Sequence, residues 1–433
     1  MNHLLLVALL PILAFVVSLA VYPLVLRFAK NHGIVDNPNA RKLQRAPVPV
    51  MGGIAVFIGI AVSLIVGNIF FTDLPLQVGL IAMTVMMVIG AWDDIKDVPP
   101  ALRFLIELLV VWAMMYVTKT GIDDFHGFWG REEIDTLLSM PLTIVAGVGI
   151  INAINLVDGV DGYSSGYGMT ACILFSILFF SVGDYEVGCL ALIVAGALLP
   201  FFLHNVFGYK SKMFIGDSGT LMLGTALACF VFATLSKNSS CCCLVEKGFG
   251  LIAFTLAVLA IPVFDTLRVM SVRIIRGSSP FQPDKTHLHH LFIEMGYSHI
   301  GAAISIITMN LCIVAIWFLS WKLGASIDIQ TYIVVALGII STFVFYKFMR
   351  TQQNGGELDE EGYPTGTRIW KTMCKRGEKT HIERTGFWKI MRKLMDDKPL
   401  GGVLNNSKSE SCILARLNID LLTRCWLKPR LLL

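Results

Sequence analysis

Residues 138–162 read LSMPLTIVAGVGIINAINLVDGVDG. The stretch from 138 to 155 is mostly apolar and close to the roughly 20 residues that a membrane-crossing helix needs. Its end is not. Asn152 and Asn155 lie three apart on one helix face, and Asp158 and Asp161 carry the same interval into a turn punctuated by Gly159 and Gly162. Four polar side chains at i, i+3, i+6 and i+9 can line one strip, with glycines allowing a ligand close to the backbone. A plain connecting loop has no need of that register.

The rest of the chain supports a membrane reading. Of 433 residues, 55% are hydrophobic and only 15% charged, where a soluble domain carries about a quarter charged residues. That composition excludes a disordered, collagenous or disulfide-stapled chain and argues against an ordinary cytosolic enzyme. Eleven apolar windows can be drawn, near 4–26, 50–71, 76–92, 101–118, 138–155, 166–182, 186–206, 219–236, 249–267, 301–321 and 331–349. The expected fold is therefore all-α and polytopic, with 10–11 transmembrane helices in a membrane domain spanning 1–349. The first window is too long for a signal-peptide core and lacks a basic start, so it is kept as a span.

Lys and Arg cluster in the loops after odd-numbered spans (Arg27, Lys30, Arg41, Lys42, Arg45 and others) and are sparse after even-numbered ones. By the positive-inside rule the N-terminus lies outside and the C-terminus in the cytoplasm. Sixteen of the 35 bases but only ten of the 31 acids fall from Arg350 onward, so the net +4 is a property of the tail, 350–433. The body is slightly acidic and its bases are scattered, which gives no footprint for nucleic acid. The tail is expected to be largely disordered. Near 385–396, however, Phe387, Ile390, Met391, Leu394 and Met395 oppose Lys389, Arg392 and Lys393, the pattern of an interfacial helix. Of the ten cysteines, Cys241, Cys242 and Cys243 are consecutive, a poor spacing for zinc, and they find no role.

On the expected topology, the chemically capable side chains gather at the cytoplasmic face. Asp93 and Asp94 close the third span in IGAWDDIKDVP. Adjacent acids repel unless a cation or a shared proton relieves them, which suits a metal or a phosphate-handling base, though helices entering water often carry acids there. Arg103 opens the next span, either as a phosphate contact or as a snorkelling arginine. MFIGDSGTLMLG (213–224) sets Asp217 between glycines ahead of the eighth span. It can hold magnesium at a phosphate-binding helix start, or simply cap the helix. PFQPDKTHLHH (280–290) brings His287, His289 and His290 beside Lys285, a grip for pyrophosphate or part of a zinc set lacking further ligands. Such acids, amides, imidazoles and bases suit magnesium-dependent transfer on a nucleotide pyrophosphate, which needs positioning and charge neutralisation more than covalent help. An ion-coupled transporter is the rival class. It would place its ionisable groups near mid-span, often in repeated halves, and neither feature is seen here.

DNPNARKLQRAPVPVMGG (36–53), WDDIKD, NAINLVDGVDG, HNVFGYKSKMFIGDSG and SPFQPDKTHLHH, in this order, resemble the polyprenyl-phosphate N-acetylhexosamine-1-phosphate transferases from about Asp36 to Tyr346. The resemblance implies transfer of a sugar 1-phosphate from a UDP-sugar to a polyprenyl phosphate such as undecaprenyl phosphate, releasing UMP. It implies a magnesium ion, replaceable by manganese, on Asp217 and Asn155. Asp93, Asp94 and Asp158 would be the active-site carboxylates, the first two handling the lipid phosphate. Lys42, Asp161 and Asn205 would contact uridine, while Arg103, His287, His289 and His290 would grip phosphate or sugar. The spaced His-Leu-His-His form resembles the bacterial N-acetylglucosamine branch. Other UDP-N-acetylhexosamines and the muramoyl pentapeptide are alternative donors. Gln44 and Lys285 depart from the usual histidine and arginine. The expected setting is the inner membrane, with the active site on its cytoplasmic face, membrane lipid as partner, and a homodimer among the assemblies the family admits.

Overall fold

The computed structural model describes residues 3–38, 46–67, 74–280, 285–355, 366–378 and 386–396. Every one of the eleven apolar windows coincides with helix. They are α1 (His3–Asn31), α2 (Gly52–Gly67), α3 (Leu74–Ile95), α4 (Pro100–Thr118), α5 (Thr136–Leu156), α6 (Tyr163–Ser181), α7 (Tyr185–Phe207), α8 (Gly216–Leu235), the pair α9 (Leu251–Val258) and α10 (Ala260–Ile275), α12 (His299–Lys322), and α13 (Ile327–Ile339) running into α14 (Phe345–Asn354). A short α11 (Leu288–Glu294) precedes α12, and α15 (Arg368–Glu378) and α16 (Gly386–Asp396) follow in the tail.

The upper figure of eleven spans is not reached among the described residues, while the lower figure of ten is met if a bent helix pair counts as one span. Among the described residues nine helices are long and apolar enough to cross a membrane, or ten if the sharply bent segment before α10 is counted. Two windows account for the difference. In the second the described helix α2 covers 16 residues, with 68–71 of the window outside the described residues, and the ninth is interrupted at Leu259, which separates α9 from α10. One feature lies outside an all-α description. Val35–Asp36 and Val48–Pro49 form a two-residue antiparallel ribbon.

Helix α8 is buried along most of its length and forms the axis of the bundle, with α2, α3 and α5 around it. Lipid tails are as apolar as leucine, so close packing of small residues has to hold such helices together. The close approaches are made by glycine. A Cβ on Gly90 of α3 would lie 2.4 Å from the Asp217 carbonyl carbon, and one on Gly53 of α2 would lie 2.2 Å from the Gly219 nitrogen. The outward faces remain apolar, with Ile81, Leu105, Val145, Ile177 and Leu319 all exposed.

One end of this bundle collects the C-terminal ends of α1, α3, α5 and α7 and the N-terminal ends of α2, α4, α6, α8 and α12. The ribbon stitches this end together. Phe214 N donates to Pro49 O at 2.8 Å, while Gly52 N and Gly53 N donate to Phe214 O and Ile215 O at 2.9 and 2.8 Å. The loop ahead of α8 is thereby fixed to the start of α2.

Replacing Gly90 by valine forces α3 off α8 at this point. The expected result is destabilisation by about 2 kcal/mol or more, read as a lowered melting temperature of the detergent-solubilised protein.

Candidate active site

The gathered helix ends enclose an open cleft of about 1460 Å³. Its lining includes Asp93, Asp94, Asn155, Asp158, Asp161 and Asp217, together with Lys30, Lys210, Lys212, His290 and His299. Concave sites with convergent polar groups are the usual location of small-molecule chemistry. The cleft opens where apolar helices end, so a water-soluble molecule and a lipid headgroup can both reach it.

Asp94 organises the floor. Its Oδ1 accepts from Asp217 N at 2.8 Å and its Oδ2 from Ser218 N at 3.1 Å. These are first-turn amides of α8, which have no partner within their own helix. A carboxylate from α3 thus caps α8, favoured also by the positive end of the helix dipole. Gly216, at φ +73°, makes room, because a Cβ there would lie 2.4 Å from Asp94 Oδ2. Asp217 is turned into the cleft, where Asn155 Nδ2 donates to its Oδ1 and also to Thr220 Oγ1 at 2.8 Å. The cap of this turn is thus neither Asp217 nor Ser218 but Asp94 from α3, which leaves the Asp217 side chain facing the cleft.

Asp93 accepts from Val98 N at 2.8 Å and from Arg103 Nη1 at 3.3 Å. Arg103 also approaches the fully buried Glu107 at 3.4 Å, and Asn152 Nδ2 donates to the other Glu107 oxygen. This chain of Asp93, Arg103, Glu107 and Asn152 braces α3 against α4 and α5. Arg103 stands in it as an ion-pair partner, beside the cleft rather than in its lining.

Asp158 accepts from Ser164 Oγ at 2.5 Å. Burial pushes its carboxyl up to about 7, with the charges of Asp217 and Asp161 adding to the rise. Asp161 is the contrary case. Burial works against its charge, but His299, 2.9 Å away, and Lys212, at 2.6 Å, together hold it below the usual carboxylate range. Asn205 is buried, with Oδ1 accepting from Gly162 N at 2.8 Å and Nδ2 donating to Met213 O at 3.0 Å. It ties the Asp158–Gly162 turn to the loop before α8.

The three histidines diverge. His287 is buried, its Nδ1 2.9 Å from Asp265 Oδ2, and Arg268 holds Asp265 Oδ1 through Nε and Nη2 at 3.1 and 2.7 Å. His289 is buried against the backbone of Gly159, where a Cβ would lie 1.9 Å from its Nε2. Burial and the neighbouring imidazoles hold it well below the usual histidine range, in its neutral form. Only His290 of the three lines the cleft. Lys42 lies outside the described residues.

No group of three or more His, Cys, Asp or Glu forms a ready-made metal cage among the described residues. Magnesium asks for less, since it is commonly held by one or two carboxylates while phosphates and water fill the other positions. The oxygen donors here fit that requirement. Asp217 is coupled by charge repulsion to Asp93, Asp94 and Asp158, an accumulation that a cation would offset. Cys241–Cys243 lie past the other end of α8 and take no part.

Four residues of this architecture were not singled out in the sequence: Glu107, Asp265, Lys212 and His299. Glu107 and Asp265 carried a usable signal, because an ionisable residue inside an apolar window marks function or a specific partner. Lys212 and His299 meet Asp161 only through long-range folding. Asp265→Ala would strand Arg268, which is 2% exposed. Breaking such a pair costs about 3–5 kcal/mol, and thermal unfolding of the variant is expected to show it, with the Arg268→Met, Asp265→Leu double variant recovering stability.

Comparison with known proteins gives the same assignment. Residues 76–235 match the family described as glycosyl transferase family 4. The chain is 28% identical over 370 residues to a probable undecaprenyl-phosphate N-acetylglucosaminyl 1-phosphate transferase of Bacillus subtilis, covering 84% of this chain and 97% of the relative. It is 30% identical over 309 residues to a decaprenyl-phosphate N-acetylglucosaminephosphotransferase of Mycolicibacterium smegmatis, covering 64% of this chain and 73% of the relative. An undecaprenyl-phosphate alpha-N-acetylglucosaminyl 1-phosphate transferase of Yersinia pestis is 28% identical over 287 residues, or 66% of this chain and 76% of the relative. With the cleft built from the residues that carry the resemblance, the chain belongs to the polyprenyl-phosphate N-acetylhexosamine-1-phosphate transferases of glycosyl transferase family 4.

Proposed function

We propose that the cleft transfers N-acetylglucosamine 1-phosphate from UDP-N-acetylglucosamine to undecaprenyl phosphate, releasing UMP. One observation carries the reading. A carboxylate-rich floor and a lysine- and histidine-lined rim meet at the end of a bundle with apolar flanks. A nucleotide pyrophosphate suits the rim, and a lipid phosphate can enter from the side where the spans end.

In the proposed reaction an oxygen of the lipid phosphate attacks the β-phosphorus in line. The new P–O bond forms as the bond from that phosphorus to the bridging oxygen breaks, and the electron pair leaves on UMP. Little covalent chemistry is asked of the protein, so positioning and charge stabilisation dominate. Asp217 and Asn155 are the proposed magnesium ligands, manganese substituting, and the ion would neutralise charge on the pyrophosphate. Asp93, in the cleft lining, would orient the attacking phosphate. Asp94 acts through α8, holding Asp217 in place. Asp158, its carboxyl near 7, can exchange a proton at neutral pH. Lys212, set against Asp161, and His290 would receive the nucleotide and sugar sides. The excess of Lys and Arg in the loops after odd-numbered spans supports a cleft on the cytoplasmic face of the inner membrane, with the N-terminus outside and the basic tail within.

Purified protein given UDP-N-acetylglucosamine, undecaprenyl phosphate and magnesium is expected to release UMP, with other UDP-N-acetylhexosamines turning over more slowly. Chelation should abolish turnover and added magnesium restore it. Asp217→Asn is expected to lower kcat by about 10²-fold or more, the scale for loss of a charge-stabilising group, with an unchanged melting temperature; full activity in this variant overturns the metal assignment. His290→Ala should raise KM for the UDP-sugar, whereas His287→Ala should act mainly on stability.

A further inference from the structure

The helix α16 is amphipathic in an unusual way, because only half of its apolar arc meets the protein. Trp388, Met391 and Met395 turn inward, and Trp388 is 4% exposed, packed with Val206 and Ile300 and 4.8 Å from the Phe207 ring. Phe387, Ile390 and Leu394 form the adjoining stripe and are 47%, 52% and 38% exposed. Lys389, Arg392 and Lys393 are exposed on the remaining side. Phe207 is the last residue of the span α7, and its ring also meets Phe387 edge-on at 6.0 Å. The bare stripe therefore lies at the level where a span leaves the apolar layer, with cations beside it. That combination matches a helix half-sunk in a lipid surface and drawn to anionic headgroups.

The same helix ends on the rim of the cleft. Asp396 Oδ1 accepts from Lys210 N at 2.9 Å, from Tyr209 N, Ser211 N and Ser211 Oγ at 3.0 Å, and its Oδ2 lies 3.1 Å from Tyr209 N. Three successive amides and a hydroxyl form an anion-binding nest, filled by a carboxylate 185 residues away. The carbonyl side of the same loop is held by α1, with Tyr22 Oη donating to Ser211 O and Lys30 Nζ to Lys210 O, both at 2.8 Å. Arg392 sits over the Tyr209 ring at 5.5 Å. Tyr209, Lys210 and Lys212 line the cleft, and Lys212 is the partner of Asp161.

We propose that α16 is a membrane-surface contact for anionic lipid, and that Asp396 is a positioning residue through which this contact holds the 209–212 rim of the cleft. The inference uses the proposed reaction only to name the cleft as the donor site. Lipid charge then acts on the enzyme through the order of one loop.

The test uses full-length protein in nanodiscs of equimolar phosphatidylcholine and phosphatidylglycerol. A photoreactive benzoyl-phenylalanine at position 390 is expected to label lipid. Amides of 209–211 are expected to exchange about tenfold faster in Asp396→Ala. They should also exchange faster in Lys389→Glu, Lys393→Glu protein, and in parent protein moved to pure phosphatidylcholine. In Asp396→Ala, KM for UDP-N-acetylglucosamine should rise about threefold to tenfold with kcat within about twofold, and Asp396→Glu should recover much of the loss. A photoadduct with a second copy of the chain overturns the lipid assignment. Exchange at 209–211 that ignores both Asp396→Ala and lipid charge overturns the coupling. Lack of turnover on UDP-N-acetylglucosamine would count against the reaction alone, since exchange and photolabelling are read without it.

Discussion

The capping of α8 by Asp94 is the interaction on which the rest of the site depends. The first turn of α8, at the floor of the cleft, presents amides that its own helix cannot satisfy. Supplying the partner from α3 locks the two helices in register. It also places Asp217, the residue whose amide is gripped, with its side chain turned the other way into the cleft. Gly216 and Gly90 are needed at the same point because the carboxylate and the α8 backbone occupy the space a Cβ would take. Floor, axis and principal acid are thus one unit.

The other networks repeat this device. Asn205 joins the Asp158–Gly162 turn to Met213, Arg103 and Glu107 tie Asp93 to Asn152, and Arg268 and Asp265 anchor His287. Each polar group is paired at a helix end or between spans, where an unpaired one would be costly. Few charges are available to a chain this apolar, and many of them are committed to holding a smaller set of side chains in the cleft.

This division explains what the sequence could and could not reveal. Helical periodicity, length and the charge-poor runs gave every apolar window, because those properties are local. The break at Leu259 is not marked by a change in hydropathy, so the sequence drew one continuous window where the structure has two helices. The strip Asn155, Asp158 and Asp161 was legible because its three-residue interval survives into the turn, and all three line the cleft. The pairs and triplets were less so. Asp93 and Asp94 are neighbours in sequence and read as twins, yet successive helical positions point about 100° apart, so one caps α8 and the other turns to Arg103. Likewise His287 precedes the first turn of α11 in extended backbone, while His289 and His290 lie within it. Three histidines in four residues consequently meet three different environments.

The separation of roles has a chemical consequence. A transferase working between a nucleotide and a lipid must accept a highly charged pyrophosphate, then release an equally charged product, without ever exposing its bundle interior to water. A cleft whose charges were all free would bind anions and cations indiscriminately, with repulsion among the seven aspartates that line it. Asp94 is bound to amides and Asp161 to Lys212 and His299, whereas Asp93 meets Val98 N and Arg103, Asp158 meets Ser164 and Asp217 meets Asn155. Burial pushes the Asp158 carboxyl up to about 7. The residues bound to backbone and to buried partners set the geometry of the cleft, and the proposed transfer would draw on the carboxylates that line it.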